Sequence, residues 1–126
     1  MSYTYTKPHA VKGVCVHAGK NFKAGDLILA SRALVLPEKE TDMIWSSSLK
    51  FYAFSWPDQD GEWTRCCLAM GDASFLNHSD SPNCYWEAHS VPRRRIAFYA
   101  LRDIRIHEEL THNYNWPKSW KKGFLP

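Results

Sequence analysis

The sequence contains no CxxC pair and no HxxxH pair, so the compact spacings that announce a structural zinc or a paired-histidine site are missing. Its four cysteines are Cys15, Cys66, Cys67 and Cys84. The start, MSYTYTKPHAV, has no apolar run of the kind a secretory leader needs, which removes the usual setting for a disulfide framework. Reduced thiols in an intracellular protein are therefore expected, with cytoplasm and nucleus undistinguished. No apolar run approaches the ~20 residues of a membrane helix, so a soluble chain without a membrane partner is expected. Nor is there a repeat, a linker or a low-complexity segment. At 126 residues the chain is long enough for one core and too short for two. The net charge of +3 is mild and does not call for nucleic acid.

What is present is an ordinary globular balance, 44% apolar and 23% charged, with six Trp, six Tyr and six Phe. That aromatic density suits a core, with some rings free to line a pocket or channel. The segments VCV (14–16) and LILASRALVL (27–36) read as strands, separated by a turn at Gly25 and Asp26. KETDMIWSSSLKFYAF predicts a short helix capped by Thr41 or Asp42. SWPDQDGEW reads as a hairpin turn that returns through EWTRCCLAM, where Cys66 and Cys67 must point to opposite faces. CYWEA and RRRIAFYALRDI follow as strands. Between them and the hairpin lies ASFLNHSDSPNC, too rich in Asn, Ser, Asp and Pro for a regular element. The pattern predicts a mostly β single domain with one long irregular loop.

Several chemistries compete for the unusual residues. His78 and Ser79 are adjacent, and neighbours in sequence rarely orient as a nucleophile and its base. The six histidines and four cysteines have no ligand spacing, and surface or loop histidines are the simpler reading. Three arginines in PRRRI, with KSWKKG near the end, are compatible with nucleic acid binding. A solvated, edge-protecting strand start is the simpler reading there too, and nucleic acid is not expected as a partner.

Read with the end of the chain, the loop gains a context. FLNHSDSPNC followed by EELTHNY resembles the paired signature of the SET-domain protein lysine methyltransferases. KGVCVHAGKNFKAGDLI resembles that family's opening motif, and YAFSW (52–56) its middle aromatic motif. The likeness runs from about Ala10 to Trp116 with the motifs in the family's order. It implies a single SET-like domain over 1–126, with its core at about 10–116 and a short basic tail at 117–126. The implied fold has several small sheets and a pseudoknot in which the C-terminal segment passes under an earlier loop, a rare threading.

The resemblance also implies an S-adenosylmethionine-dependent protein lysine N-methyltransferase, with a protein or peptide lysine as substrate and histone tails among the candidates. Lys12, Gly13 and Val14 would hold the methionine end of S-adenosylmethionine, Tyr52 would lie nearby, and Asn77 and His78 would bind its amino-acid and adenine portions. Tyr114 stands at the catalytic tyrosine position and contributes to cofactor binding. Trp86 and Trp116 fall near channel-lining positions, where core packing is an equal reading. A SET-like module that has lost catalysis and binds a peptide or nucleic acid is the alternative. Val11 replaces a usual glycine and Ser74 a usual arginine. No cysteines follow the domain to join Cys84 in a zinc site, so no metal is expected and Cys84 reads as a buried thiol. A channel left unfinished by so short a tail is compatible with a homodimer.

Overall fold

The computed structural model describes residues 3–115. In chain order the elements are β1 (Thr4–His9), β2 (Gly13–Ala18), β3 (Leu27–Val35), α1 (Thr41–Trp45), β4 (Ala53–Trp56), β5 (Arg65–Met70), β6 (Asn77–His78), β7 (Cys84–His89), β8 (Arg95–Ala100) and β9 (Thr111–His112). Short 3-10 turns occupy Glu38–Glu40, Ser48–Tyr52 and Asp72–Phe75. Strands dominate, as the sequence predicts. No helix among the described residues is long and apolar enough to cross a membrane.

Three sheets form. β1 and β2 pair as an antiparallel hairpin, and the central sheet has the order β4-β5-β3-β8-β7. The third is the two-residue parallel pairing of β6 with β9. Gly13 opens β2 at φ +85°, a left-handed conformation that a side chain would strain. Gly25, at φ +87°, makes the turn into β3, where the Asp26 carboxylate accepts from the Lys23 N–H at 2.9 Å. Val11 does not share this conformation, since His107 and Asn115 are the non-glycine residues with positive φ among those described.

The helix expected near Thr41 forms but is not capped as predicted. Its N-cap is Glu40, and no side chain bonds the first turn. The preceding 3-10 turn supplies the entry instead, with the Glu40 N–H donating to Pro37. The serines end the helix: the Ser46 and Ser47 hydroxyls donate back to the Asp42 and Ile44 carbonyls. The hairpin between β4 and β5 forms, its loop closed on Asp58, which accepts from the Asp60 and Glu62 N–H groups and the Thr64 hydroxyl. Cys66 and Cys67 take opposite faces of β5, and both are buried. The arginine strand is not an edge. β8 lies between β3 and β7, so edge protection does not account for Arg93, Arg94 and Arg95.

The core face of the central sheet carries Ile96, Phe98 and Ala100 of β8 against Phe54, Leu76, Ile104, Leu110 and Val16. Phe98, Leu76, Ile96, Ile104 and Leu110 are almost wholly buried, each contributing roughly 1.5–3 kcal/mol by leaving water. Leu110 matters for the topology because it belongs to the late segment that the rest of the molecule encloses. On one side of that segment, the Leu110 N–H donates to the Val16 carbonyl at 2.8 Å and the His107 N–H to Ala18 at 2.8 Å. On the other side, β9 pairs with β6, and the Ser79 N–H donates to the His112 carbonyl at 3.0 Å. This is the pseudoknot: residues 107–114 lie between β2 and the 77–83 loop.

Asn83 fastens the knot. Its Nδ2 donates to the Glu109 carbonyl at 2.8 Å, and its Oδ1 accepts from the Thr111 N–H at 2.9 Å and the Cys84 thiol at 3.2 Å. The side chain is 4% exposed. Asn83→Ala leaves a buried donor and acceptor without partners and should destabilise the fold by about 2–4 kcal/mol. Urea unfolding of both proteins measures this, and a loss below about 0.5 kcal/mol would show that the clamp is dispensable.

Candidate active site

The site grows from β2, the 72–79 segment and the end of the knot. Asn77, in β6, turns its amide inward, where Nδ2 donates to the Val14 carbonyl at 2.9 Å and to Glu109 Oε2 at 3.0 Å. Cys15 Sγ lies 3.4 Å from the same nitrogen. Glu109 also receives the Lys12 ammonium at 2.9 Å. Burial alone would raise the Glu109 carboxyl, but the hydrogen bonds from Asn77 and Lys12 outweigh it and hold it below its ordinary range. The Cys15 thiol is pushed up by burial and by its carboxylate neighbour, so it is not a poised nucleophile. Lys12, Val14, Asn77 and Glu109 thus form one ionic and hydrogen-bonded unit. The sequence reading named the first three of these and passed over Glu109.

His78 orients the end of the chain. The Tyr114 backbone N–H donates to His78 Nδ1 at 2.9 Å, and a backbone N–H can only donate. The proton of a neutral ring therefore sits on Nε2, which faces Asp80 Oδ1 at 2.8 Å. This wiring excludes the Ser79 dyad: both ring nitrogens are engaged elsewhere, and the Ser79 hydroxyl accepts from the Ser81 N–H at 3.0 Å. The two rings also meet edge to face, with centroids 5.2 Å apart.

Tyr114 extends its hydroxyl to the Leu76 carbonyl, donating at 3.2 Å. Burial first, then the neighbouring Tyr52 and Glu109, push its pKa up to about 12. The phenol is therefore neutral at physiological pH, a hydrogen-bonding group rather than a base.

Two cavities meet at this ring. The smaller, of about 120 Å³, is lined by Lys12, Gly13, Val14, Phe51, Tyr52, Ser74, Phe75 and Tyr114. The larger, of about 460 Å³, has walls built mainly from Trp45, Phe54, Trp63, Trp86 and His112, and it also touches Phe51, Ser74 and Tyr114. Lys12, Gly13, Val14, Tyr52 and Tyr114 thus come together at the small cavity, while Asn77 and His78 support it from behind. Trp86 lines the large cavity and also packs edge to face on Phe54 at 5.2 Å. Trp116 lies outside the described residues. Ser74 does not leave a gap where the arginine was expected. Its hydroxyl, 8% exposed with its residue, bridges the Ala69 carbonyl at 2.6 Å and the Tyr52 carbonyl at 3.0 Å. It ties the two 3-10 turns that bound both cavities.

Cys84 is buried as expected, its thiol pushed up to about 12 by burial. No group of three or more His, Cys, Asp or Glu able to hold a metal occurs among the described residues.

His112, like Glu109, does not stand out in the sequence. It stacks on Phe54 at 5.7 Å, meets Phe98 edge-on at 5.0 Å and stands 4.9 Å from the Tyr114 ring. Its Nδ1 is buried without a hydrogen-bond partner among the described residues. Burial, and secondarily the nearby His78, depress its pKa to about 3. Against an ordinary value near 6.5, the unfolded chain takes up the proton first as pH falls. Stability is then complete above about pH 6.5 and declines as pH drops towards 3. His112→Phe keeps the stacking and removes both the orphan nitrogen and the proton uptake. It should unfold at lower pH than the parent and lose no stability at pH 7; equal acid midpoints in circular dichroism would refute the assignment.

Comparison with known proteins matches this arrangement to a family. The SET domain profile matches residues 13–115. The chain is 47% identical over 51 residues to a histone-lysine N-methyltransferase, H3 lysine-4 specific, of Emericella nidulans, covering 40% of the chain and 4% of that protein. It is 29% identical over 131 residues to histone-lysine N-methyltransferase 2B of Homo sapiens, covering 93% of the chain and 4% of that protein. The chain therefore spans a small fraction of the length of these relatives. A crystal structure from Plasmodium falciparum superposes with a TM-score of 0.71 at 21% identity, over 97% of this chain and 99% of that one. CpSET8 from Cryptosporidium superposes at 0.70 and 24% identity, over 93% of this chain and 59% of its own. These two show the fold. With its profile match spanning β2 to Tyr114 and its knot and paired cavities in place, the chain belongs to the SET domain family.

Proposed function

We propose that this chain is an S-adenosylmethionine-dependent protein lysine N-methyltransferase that acts on a lysine amine of a protein or peptide. The observation that carries the reading is that two cavities of different character share Phe51, Ser74 and Tyr114. A two-substrate transfer needs two binding spaces that meet at one point, and here they meet at a buried phenol. The names of the curated relatives, histone-lysine N-methyltransferases, support a histone tail as the substrate class.

The residues at the small cavity suit S-adenosylmethionine. Tyr52 and Phe75, 42% and 41% exposed, stand edge to face at 5.6 Å and offer aromatic surface to an adenine ring. The turn at Gly13 brings bare backbone to the same wall, and Lys12 supplies a cation for a carboxylate. Asn77 and His78 would act by fixing this wall, through Val14 and Tyr114 respectively. When bound, S-adenosylmethionine would supply an electrophilic methyl group on a positively charged sulfonium.

The large cavity suits a lysine side chain that must arrive neutral. At pH near 7.4 an ordinary lysine amine, of pKa about 10.4, is deprotonated at a cost of roughly 4 kcal/mol. Among the described lining residues the only formal charge is Lys50, and no carboxylate is present to hold an ammonium. Apolar walls and a like charge both favour the neutral amine. The Tyr114 hydroxyl, held at its position by the Leu76 carbonyl, would orient the amine and methyl for in-line attack. A homodimer that completes the large cavity also belongs to this proposal, and sedimentation would measure it.

Tyr114→Phe keeps the ring between His78 and His112 and removes the hydroxyl. Single-turnover methyl transfer should slow by roughly a hundredfold, about 2.7 kcal/mol of barrier, while cofactor affinity by calorimetry stays within a few fold. Normal turnover in the folded variant would sink the catalytic role. Asn77→Ala should instead act on binding, because it releases the Val14 carbonyl and Glu109. A loss of about 1 kcal/mol or more in S-adenosylmethionine affinity is expected. Unchanged affinity in a folded variant would remove Asn77 from the cofactor wall.

A further inference from the structure

The outer face of the central sheet carries a second pattern that the cavity chemistry does not use. Register places Arg32 of β3 directly opposite Arg95 of β8, and Arg95 directly opposite His89 of β7. Opposed residues share a face, so these three form a row across adjacent strands. Two residues further along β8, the row is Ala30, Ala97 and Glu87. The next row carries Tyr99 and Tyr85, stacked at 5.4 Å and 25°. The arginine row and the tyrosine row are about 13 Å apart along β8, with short alanines between them.

Like charges directly opposite each other destabilise a sheet. Among the described residues, no carboxylate forms an ion pair with Arg32, Arg93, Arg94 or Arg95. Glu87, on the same face, lies 3.2 Å from His89 Nε2 and forms no ion pair with the arginines. Because β8 is interior to the sheet, the arginines do not serve as edge protection. The Arg95 side chain is also anchored. Arg95 Nη1 donates to the Val91 carbonyl at 2.9 Å and the Arg93 carbonyl at 3.5 Å, and the Ala33 N–H donates to the Arg94 carbonyl at 3.0 Å. Arg32 is exposed and Arg95 partly so. On the tyrosine side, His89 Nε2 lies 3.2 Å from the Tyr99 hydroxyl, and Tyr85 remains 38% exposed.

We propose that this face binds nucleic acid, with Arg32 and Arg95 on the phosphates and Tyr85 as a stacking surface for a base. Guanidiniums beside an exposed aromatic on one sheet face are the two parts that single-strand recognition combines. An acidic protein surface would satisfy the arginines but has no use for the tyrosine pair. The face is separate from the two cavities, so binding there is independent of the methyl transfer proposed above.

The test is fluorescence anisotropy of the whole chain with a labelled 20-nucleotide single strand and with a duplex of the same sequence, across about 50 to 200 mM salt. Binding weaker than about 10⁻⁴ M at the lowest salt overturns the proposal. The double variant Arg32→Ala/Arg95→Ala should bind at least tenfold more weakly at 50 mM salt. Its log K against log salt should be shallower by about 1.4 for the single strand, two phosphate contacts at roughly 0.7 each. Tyr85→Ala should weaken the single strand and leave the duplex unchanged. Parental affinity and salt slope in the double variant overturn the proposal. So does a glutamate-rich peptide of equal charge that displaces the oligonucleotide as well as unlabelled oligonucleotide does, since that would assign the face to an acidic protein. Melting temperatures confirm that each variant is folded.

Discussion

Everything at the site depends on how residues 107–114 are held. The segment forms only a two-residue parallel ladder of its own, with β6, too little for regular secondary structure to fix it. Side chains do the rest. Asn83 grips two of its backbone groups, His78 receives a third at Tyr114, and β2 closes the other side through Val16 and Ala18. Leu110, wholly buried, anchors the middle. Glu109, His112 and Tyr114 are therefore placed by contacts with residues about 26 to 36 positions earlier, not by their own strand. Contacts of this kind form late and slowly, because distant segments must be brought together before any of them contributes.

The two cavities divide the electrostatic work. Behind the small one, Lys12, Asn77 and Glu109 form a satisfied ionic cluster, and the carboxylate's lowered pKa keeps it charged. Such a group is fixed in advance and needs no rearrangement to meet a charged ligand. The walls of the large cavity go the other way. The two ionisable rings nearest its depth, His112 and Tyr114, are both driven by burial towards neutrality, one to about 3 and the other to about 12. A neutral imidazole and a neutral phenol beside apolar walls offer hydrogen bonds without offering charge. That is the environment in which an amine gives up its proton most readily.

The strands were legible from composition and alternation, and β2, β3, β5 and β7 lie where the pattern placed them. Only family likeness linked Asn77 and His78 to Tyr114, which lies 36 residues after His78 with no periodicity between them. What failed to show were features set by tertiary order. The arginines of PRRRI looked like an edge because nothing in a single strand says which neighbours it will have. Thr41 and Asp42 looked like caps because the 3-10 turn before them, which supplies the entry, has no apolar rhythm to announce it. His112 was passed over because a histidine in a polar-looking string, EELTHNY, gives no sign of being 95% hidden until Phe54 and Phe98 are seen around it. The Glu109 partnership with Lys12 was invisible for the same reason.

Alternation along β7 and β8 couples the cavity to the opposite surface of the sheet. Cys84, Trp86 and Ala88 face inward with Phe98 and Ile96, so Tyr85, Glu87 and His89 must face outward with Tyr99 and Arg95. A register slip of one residue would exchange the two sets, sending arginine and glutamate into the core and Trp86 into water. Burial of Phe98 and Ile96 therefore fixes the outer rows as firmly as the inner ones. The same constraint separates their chemistry. Outer-face side chains can change without moving Trp86, because the sheet's hydrogen bonds and its core face set the backbone. A surface for one partner and a cavity for another can thus share two strands, each read from its own side.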